Sequence, residues 1–378
     1  MKADVQSVVC TSVPPAKGNG NETYTALVWR RLKRSWTGMI GLILVCLLMI
    51  MTIFAEFFAP VDPKLTGVGF APPQTISMTD WDGNFVFPPR TYPIRETDEL
   101  DPVTFQPIVG PDYENPQTLG FFVKGFGYRL FGLIPAQRHF FGATDGTPVN
   151  FLGTDKFGRD VLSRIIYGSR ISLMIALTVV FIITLVGTTV GMVSGYFGGR
   201  FDAWVQRFVE LVLAFPQLPL YLALTSLIPV TAPTNVFLAF VIFVMSALGW
   251  AQLSREVRGK TLALARIDYV RAAMAIGATD RRIIFQHIFP NVMSHVIVAV
   301  TLAIPNVVLL ESFLGFLGFL GFAVKPPLIS WGLMLQDTST YSVIGSYPWI
   351  LAPVAFVLVT VFAFNALGDG LRDAIDPY

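Results

Sequence analysis

Tyr269-Val270-Arg271-Ala272-Ala273-Met274-Ala275-Ile276-Gly277-Ala278-Thr279-Asp280 is a short polar stretch set between two long apolar ones. Asp268 precedes it as a helix-capping residue, and Ala272 and Ala273 keep one face small. Gly277 supplies the left-handed residue that ends a helix without steric penalty. Thr279 then caps the next segment, with Asp280 in its favourable first turn. The spacing predicts a short helix at about 266–278. A small-faced, rigidly ended helix suits insertion into a groove on a partner. It is what a membrane subunit needs if a separate motor is to push on it. A solvated loop helix would have the same residues, and the residues alone leave both readings open.

Outside this stretch the chain is mostly apolar. Of 378 residues, 53% are hydrophobic and 14% charged, with a mean hydropathy of +0.60. Soluble domains carry about 25% charged residues, so the composition predicts an all-α integral membrane protein. A net charge of +2 gives no footing for nucleic acid. Cys10 and Cys46 provide neither a disulfide framework nor metal-ligand spacing, and the first apolar span is expected to be retained rather than cleaved.

Charge-free windows long enough to cross a bilayer run over 35–55, 171–199, 211–254, 283–310 and 338–368. One mid-span Arg costs roughly 2.5–3.5 kcal/mol against about 0.5 gained per Leu, so the absence of Lys and Arg from all five is informative. The window 211–254 is too long for one helix and is interrupted by Pro229, Pro233 and Asn235; split there, it brings the total to six spans. Basic residues cluster before the first span (Arg30, Arg31, Lys33, Arg34), after the second (Arg200, Arg207) and between Arg255 and Arg282, whereas the loop before the sixth span has Lys325 alone. This places both termini in the cytoplasm.

The expected organisation is a cytoplasmic tail at 1–34, partly disordered over 1–22, and a first span at 35–57. A long extracytoplasmic insert at 58–165 follows, then a five-helix core at 166–378. Thirteen of the 26 prolines fall between 57 and 170, which predicts turns and short strands capping the membrane helices. Phe313-Leu314-Gly315-Phe316-Leu317-Gly318-Phe319-Leu320-Gly321-Phe322 is a local repeat, expected as an apolar, turn-rich element at the outer surface.

The spacing of Ala272-Ala273, Gly277 and Pro290 resembles the EAA loop of binding-protein-dependent ABC importers, the coupling helix that sits on the ATPase subunit in that family. The family's leading Glu is Arg271 here, and His287 and Phe289 replace the Ile and Leu usual before the proline. Tyr269-Val270-Arg271-Ala272-Ala273 is similar to the peptide/nickel branch. So are Gly153-Thr154-Asp155-Lys156-Phe157-Gly158-Arg159-Asp160, Glu311-Ser312-Phe313-Leu314, Pro326-Pro327, Ser330-Trp331-Gly332, Asn365, Gly368-Asp369-Gly370 and Asp376-Pro377. The likeness is greatest to C-type permeases of dipeptide and oligopeptide importers. It implies a type I importer permease fold of six helices, with Asp268, Tyr269, Arg271, Ala272, Ala273, Gly277 and Pro290 at the coupling helix. It also implies a second permease of similar fold, two ATPase domains that bind ATP and Mg, and an extracytoplasmic binding protein. The chain itself would bind no cofactor and no metal and would not be an enzyme. Di- or oligopeptides are the first cargo class; oligosaccharides, opines and nickel chelates remain open. The implied site is the bacterial inner membrane.

Several other features carry their own readings. Gly187, Gly191 and Gly195 leave one face of the second span bare for close helix packing. Pro216 and Pro219 should kink the third span. Glu311, with Ser312 beside it, is a candidate for the translocation path because an ionisable residue near a span suggests function. His287 and His295 lack metal spacing and suit the membrane interface. Gly259-Lys260-Thr261 lacks the earlier glycine and the strand of a phosphate loop, since Ser254 stands where that glycine would be. An ion-coupled secondary transporter would need mid-membrane coupling residues and internal repeats, and neither is visible.

Overall fold

The computed structural model describes residues 24–79, 85–100, 107–229, 231–318 and 328–375. The tail at 1–22, residues 319–322 of the Phe-Leu-Gly repeat, Lys325, Pro326-Pro327 and Asp376-Pro377 lie outside the described residues. Helix α1 (Tyr24–Leu32) leads to α2 (Trp36–Ile53), whose cap Ser35 accepts a hydrogen bond from the Gly38 amide at 3.2 Å. A single turn, α3 (Ala55–Phe58), follows.

Among the described residues, the segment after α3 holds six strands: β1 (Ser77–Thr79), β2 (Phe85–Thr91), β3 (Ile94–Leu100), β4 (Pro107–Pro111), β5 (Gln117–Leu130) and β6 (Ile134–Ala143). They form an antiparallel four-stranded sheet in the order β1-β2-β5-β6 and a separate β3-β4 hairpin. Strand β5, at 14 residues, is longer than the short strands expected. The prolines that suggested frequent turns lie outside it, and its aromatic and β-branched residues favour extended backbone.

Helix α4 (Val161–Phe197) runs for 37 residues and begins well before the predicted window. Its first three turns carry Arg164 and Arg170, which a charge-free criterion rejects, yet the Asp160 carboxylate accepts from the Ser163 amide at 2.7 Å and starts the helix there. The expected kink in the third span is a full break: α5 (Gly199–Ala214) and α6 (Gln217–Thr225) meet at 82°. Phe215 precedes Pro216 and is forced out of the helical region, to φ −79° and ψ 136°.

Helix α7 (Thr234–Leu264) returns to the end where α8 (Asp268–Ala275) and the short α9 (Asp280–Arg282) lie. A π-helical turn at Ile283–Ile288 leads into α10 (Phe289–Phe316). Helix α10 continues through the first unit of the repeat, so Phe313–Phe316 are helical rather than a turn. Then come α11 (Trp331–Leu335), α12 (Tyr341–Ser346), a 3-10 turn at Pro348–Leu351 and α13 (Ala352–Ile375). The sixth span therefore starts and ends later than its window of 338–368. Helix α13 passes Asp369, Arg372 and Asp373, which a charge-free window cannot include.

Among the described residues, five helices are long and apolar enough to cross a membrane, six if the bent α5/α6 pair counts as one crossing. The core is built around α4, α7 and α10, with Val179, Val244, Val257, Val292 and Val308 all buried. Helices α1 and α2 pack on the end of α13: Arg31 donates to the Ala374 carbonyl at 3.5 Å, and a Cβ on Gly370 would meet Gly38 Cα at 2.3 Å. The chain thus enters and leaves at the α8 end of the bundle, and the strands lie at the opposite end.

Candidate functional site

The α8 loop is closed by local chemistry. The Ala278 amide donates to the Ala273 carbonyl and the Gly277 amide to the Met274 carbonyl, both at 3.0 Å, with Gly277 at φ +85°. This is the Schellman arrangement that a glycine one residue past the cap permits. Thr279 caps α9 by accepting from the Arg282 amide at 3.4 Å. Asp268 does not cap α8 with its side chain as expected; Ile267 is the cap residue, and Asp268 sits in the first turn, where its charge suits the helix dipole.

One face of α8 turns inward, with Val270 fully buried and Ala273 nearly so. The other face is open. Tyr269 and Met274 are exposed, Arg271 and Ala272 lie on the exposed side, and Ile276 is 86% exposed just past the helix end. Behind α8, Asn291 on α10 donates to the His287 carbonyl at 2.7 Å and to the Tyr269 hydroxyl at 3.2 Å. Pro290 lies in the first turn of α10, directly after the π-helical turn.

Charge pairing supports the loop from the neighbouring helix ends. Arg258 on α7 forms a two-pronged bond to Asp202 on α5, at 2.6 Å for each prong, and Ser194 on α4 donates to the same carboxylate. The Tyr196 hydroxyl donates to Asp280 at 2.7 Å, tying the end of α4 to α9. Residues 202 and 258 are far apart in sequence, and nothing in the linear pattern pairs them. Deeper in, Gly187, Gly191 and Gly195 face Leu253, Val257 and Thr261 of α7. A Cβ on Gly191 would lie 2.5 Å from the Ser254 carbonyl oxygen. The ends of α4 and α7 are thus locked together immediately behind α8.

A cleft of about 730 Å³ opens on the side of the bundle between α6, α7 and α10, lined by Gln217, Tyr221, Gln252, Glu256, Ala303 and Asn306 among others. Towards the α8 end it shares Glu256 with a second cleft of about 930 Å³ that includes Lys260, Asn291, His295 and Arg372. His295 Nε2 lies 3.4 Å from Glu256. Glu311 and Ser312 line neither cleft. Both are 3% exposed and lie on the inward side of α10. Ser172 of α4 donates to Glu311 at 2.9 Å and accepts from the Trp331 amide at 3.0 Å, while the Trp331 ring nitrogen donates to the Ile165 carbonyl at 2.9 Å. The carboxylate thus joins α4, α10 and α11.

At the opposite end, residues 153–160 form a tight knot. Asp155 accepts from the Phe157 and Arg159 amides at 2.8 and 3.1 Å and from the Arg159 side chain. Arg164 lies 3.4 Å from the same carboxylate. Thr154 accepts from the Ala71 amide at 2.8 Å and donates to the Val68 carbonyl at 2.7 Å. Gly158 is at φ +73°, and a Cβ there would lie 2.0 Å from the Gly67 oxygen. Burial pushes the Asp160 carboxyl up to about 6 despite hydrogen bonds from Ser163 and Leu162, and the nearby Asp155 charge adds to the rise. Beyond the knot, Arg170 of α4 donates to both oxygens of the Glu56 carboxylate, at 2.7 Å each.

These features define a class: a helical membrane component with an open lateral cleft and an outward-facing helix held rigidly at one end of the bundle. Residues 187–378 match the binding-protein-dependent transport system inner membrane component, and residues 23–80 match the N-terminal TM domain of oligopeptide transport permease C. The chain belongs to the family of binding-protein-dependent transport system inner membrane components. The oligopeptide transport system permease protein OppC of Salmonella typhimurium is 42% identical over 236 residues, covering 62% of this chain and 74% of that protein. OppC of Haemophilus influenzae is 41% identical over 229 residues, covering 60% and 70%. The dipeptide transport system permease protein DppC of Bacillus subtilis is 38% identical over 228 residues, covering 60% and 68%. These relatives are membrane components of transport systems rather than enzymes.

Proposed function

We propose that this permease carries di- or oligopeptides across the bacterial inner membrane as one of two permease subunits, driven by ATPase subunits that dock on α8. The observation that carries the proposal is the exposure of the large apolar side chains Tyr269, Met274 and Ile276 on a loop otherwise fixed by its own hydrogen bonds. Covering one large aliphatic side chain stabilises a contact by about 1.5–3 kcal/mol. An apolar face left open on a rigid mount therefore favours a protein partner. Arg30, Arg31, Lys33 and Arg34 at the α8 end support a cytoplasmic location for that end and for both termini. The insert between α3 and α4 then faces the binding protein.

ATP and Mg bind in the ATPase subunits. Their closure displaces α8, and the paired ends of α4 and α7 transmit the movement to the lateral cleft. A second permease of similar fold closes that cleft, so the path runs between the two chains. The peptide cargo rests on the names of the OppC and DppC relatives.

The test is co-purification with untagged neighbours and a cross-linker at Ile276→Cys, followed by ATPase assays with peptides, sugars, opines and nickel chelates. The expected result is an ATPase adduct at 276 and stimulation by peptides with the binding protein present. Absence of any ATPase adduct would overturn the docking, and stimulation by a non-peptide alone would overturn the cargo.

A further inference from the structure

Hairpin turns are ordinarily built from polar residues and glycine. The β5-β6 turn is not: Leu130-Phe131-Gly132-Leu133-Ile134-Pro135 is an unbroken apolar run at the tip of the hairpin. Its side chains project outward, with Leu133 82% exposed and Phe131 and Ile134 more than half exposed. A run of this kind on a water-facing loop would be a fault unless something covers it.

The position of the tip identifies the cover. The Phe131 ring packs edge-on against Phe54 at 5.8 Å between centroids. Phe54 is the residue that ends α2, and it continues the outward stripe Ile43, Leu47 and Ile50 by helical spacing. That stripe belongs to the span matched by the N-terminal TM domain of the family. The tip is therefore continuous with a membrane-spanning surface and lies at the level of its last turn. Aromatic side chains concentrate at that depth in membrane proteins, with basic residues on the water side. Exposed Arg129 immediately precedes the apolar run, and Arg138 lies on the facing strand.

We propose that the β5-β6 tip is a membrane-interface anchor, with Phe131, Leu133 and Ile134 inserted among the lipids around the end of α2. It holds the sheet against the bilayer and fixes the height of the strand region above the bundle. The inference is independent of the cargo and of α8.

The test is spin labelling of the full-length chain, with its co-purifying partners, in phospholipid nanodiscs. Labels are placed at Leu133→Cys, Ile134→Cys and Gln137→Cys in a background of Cys10→Ser and Cys46→Ala. All three positions are exposed, so the labels displace no core contact. Collisions with oxygen, which partitions into lipid, are compared with collisions with a water-soluble nickel chelate. The expected result is oxygen broadening exceeding nickel broadening at 133 and 134, with the order reversed at 137. Dominant nickel broadening at 133 and 134 would place the tip in water and overturn the anchor. Protection from both reagents would show that another protein covers the tip, and would overturn it equally.

Discussion

The two ends of α4 are finished in opposite ways. At its start, Asp155, Asp160, Thr154 and Arg164 are all buried, Asp155 and Thr154 are bonded within the chain, and Gly158 lets the backbone close on Gly67. Near its other end, α8 is equally well fixed but leaves Tyr269, Met274 and Ile276 open. The first end is complete as a single chain. The second leaves apolar side chains open, and the proposed docking would cover them. If the docking proposal holds, the comparison separates residues that make this permease stable from residues that make it work.

The largest effect should come from the self-contained end. Gly158→Ala places a methyl 2.0 Å from the Gly67 carbonyl oxygen at a left-handed φ, against backbone that cannot rotate away as a side chain could. Membrane-inserted, detergent-stable protein should be lost, as read by size-exclusion yield and Tm. A normal yield would show that the knot is adaptable and weaken the contrast.

At the α8 end, Ile276→Asp should leave yield and Tm unchanged while uptake falls by an order of magnitude or more, because about 2 kcal/mol of apolar contact is lost. Equal uptake by variant and wild type would remove Ile276 from the contact. Ala273, facing inward at 7% exposure, is the control that should behave structurally.

A smaller effect is expected from Asp202→Asn, which breaks the two-pronged bond to Arg258. Hydrogen bonds to charged groups contribute about 1.5–3 kcal/mol, and these side chains are 13% and 27% exposed. The Tm should drop modestly, and the reciprocal swap Asp202→Arg with Arg258→Asp should recover part of it. No recovery would argue that the pair is incidental.

A further effect, confined to a pH window, is a titration. Asp160 is raised to about 6 from an ordinary 3.8, so folding favours its protonated form. Its contribution to stability is full below 3.8 and declines as pH rises through about 6. Asp160→Asn keeps an oxygen to cap α4 and removes the titration. Its Tm should exceed that of wild type at pH 7 and approach it near pH 4. A constant difference across that range would contradict the shift.

The span count and the α8 loop were legible in the sequence, because charge exclusion and a glycine terminator act locally. Gly187, Gly191 and Gly195 were legible as a bare face, and their partners on α7 were not. The true start of α4 was hidden because Arg164 and Arg170 find acids, Asp155 and Glu56, only after folding. Glu311 was readable as unusual, but its burial against Ser172 depends on α11 arriving from 20 residues away at Trp331. The pair of Asp202 and Arg258 carried no linear signal.

Helix α4 has 37 residues, about 55 Å at about 1.5 Å each, against about 30 Å of hydrocarbon. It overshoots the bilayer at both faces and contains no proline at which to bend. One stiff lever therefore has its grip beside α8 and its far tip in the Asp155 knot. Under the proposed docking, a tilt imposed beside α8 would travel along this one helix to the mouth on the other side.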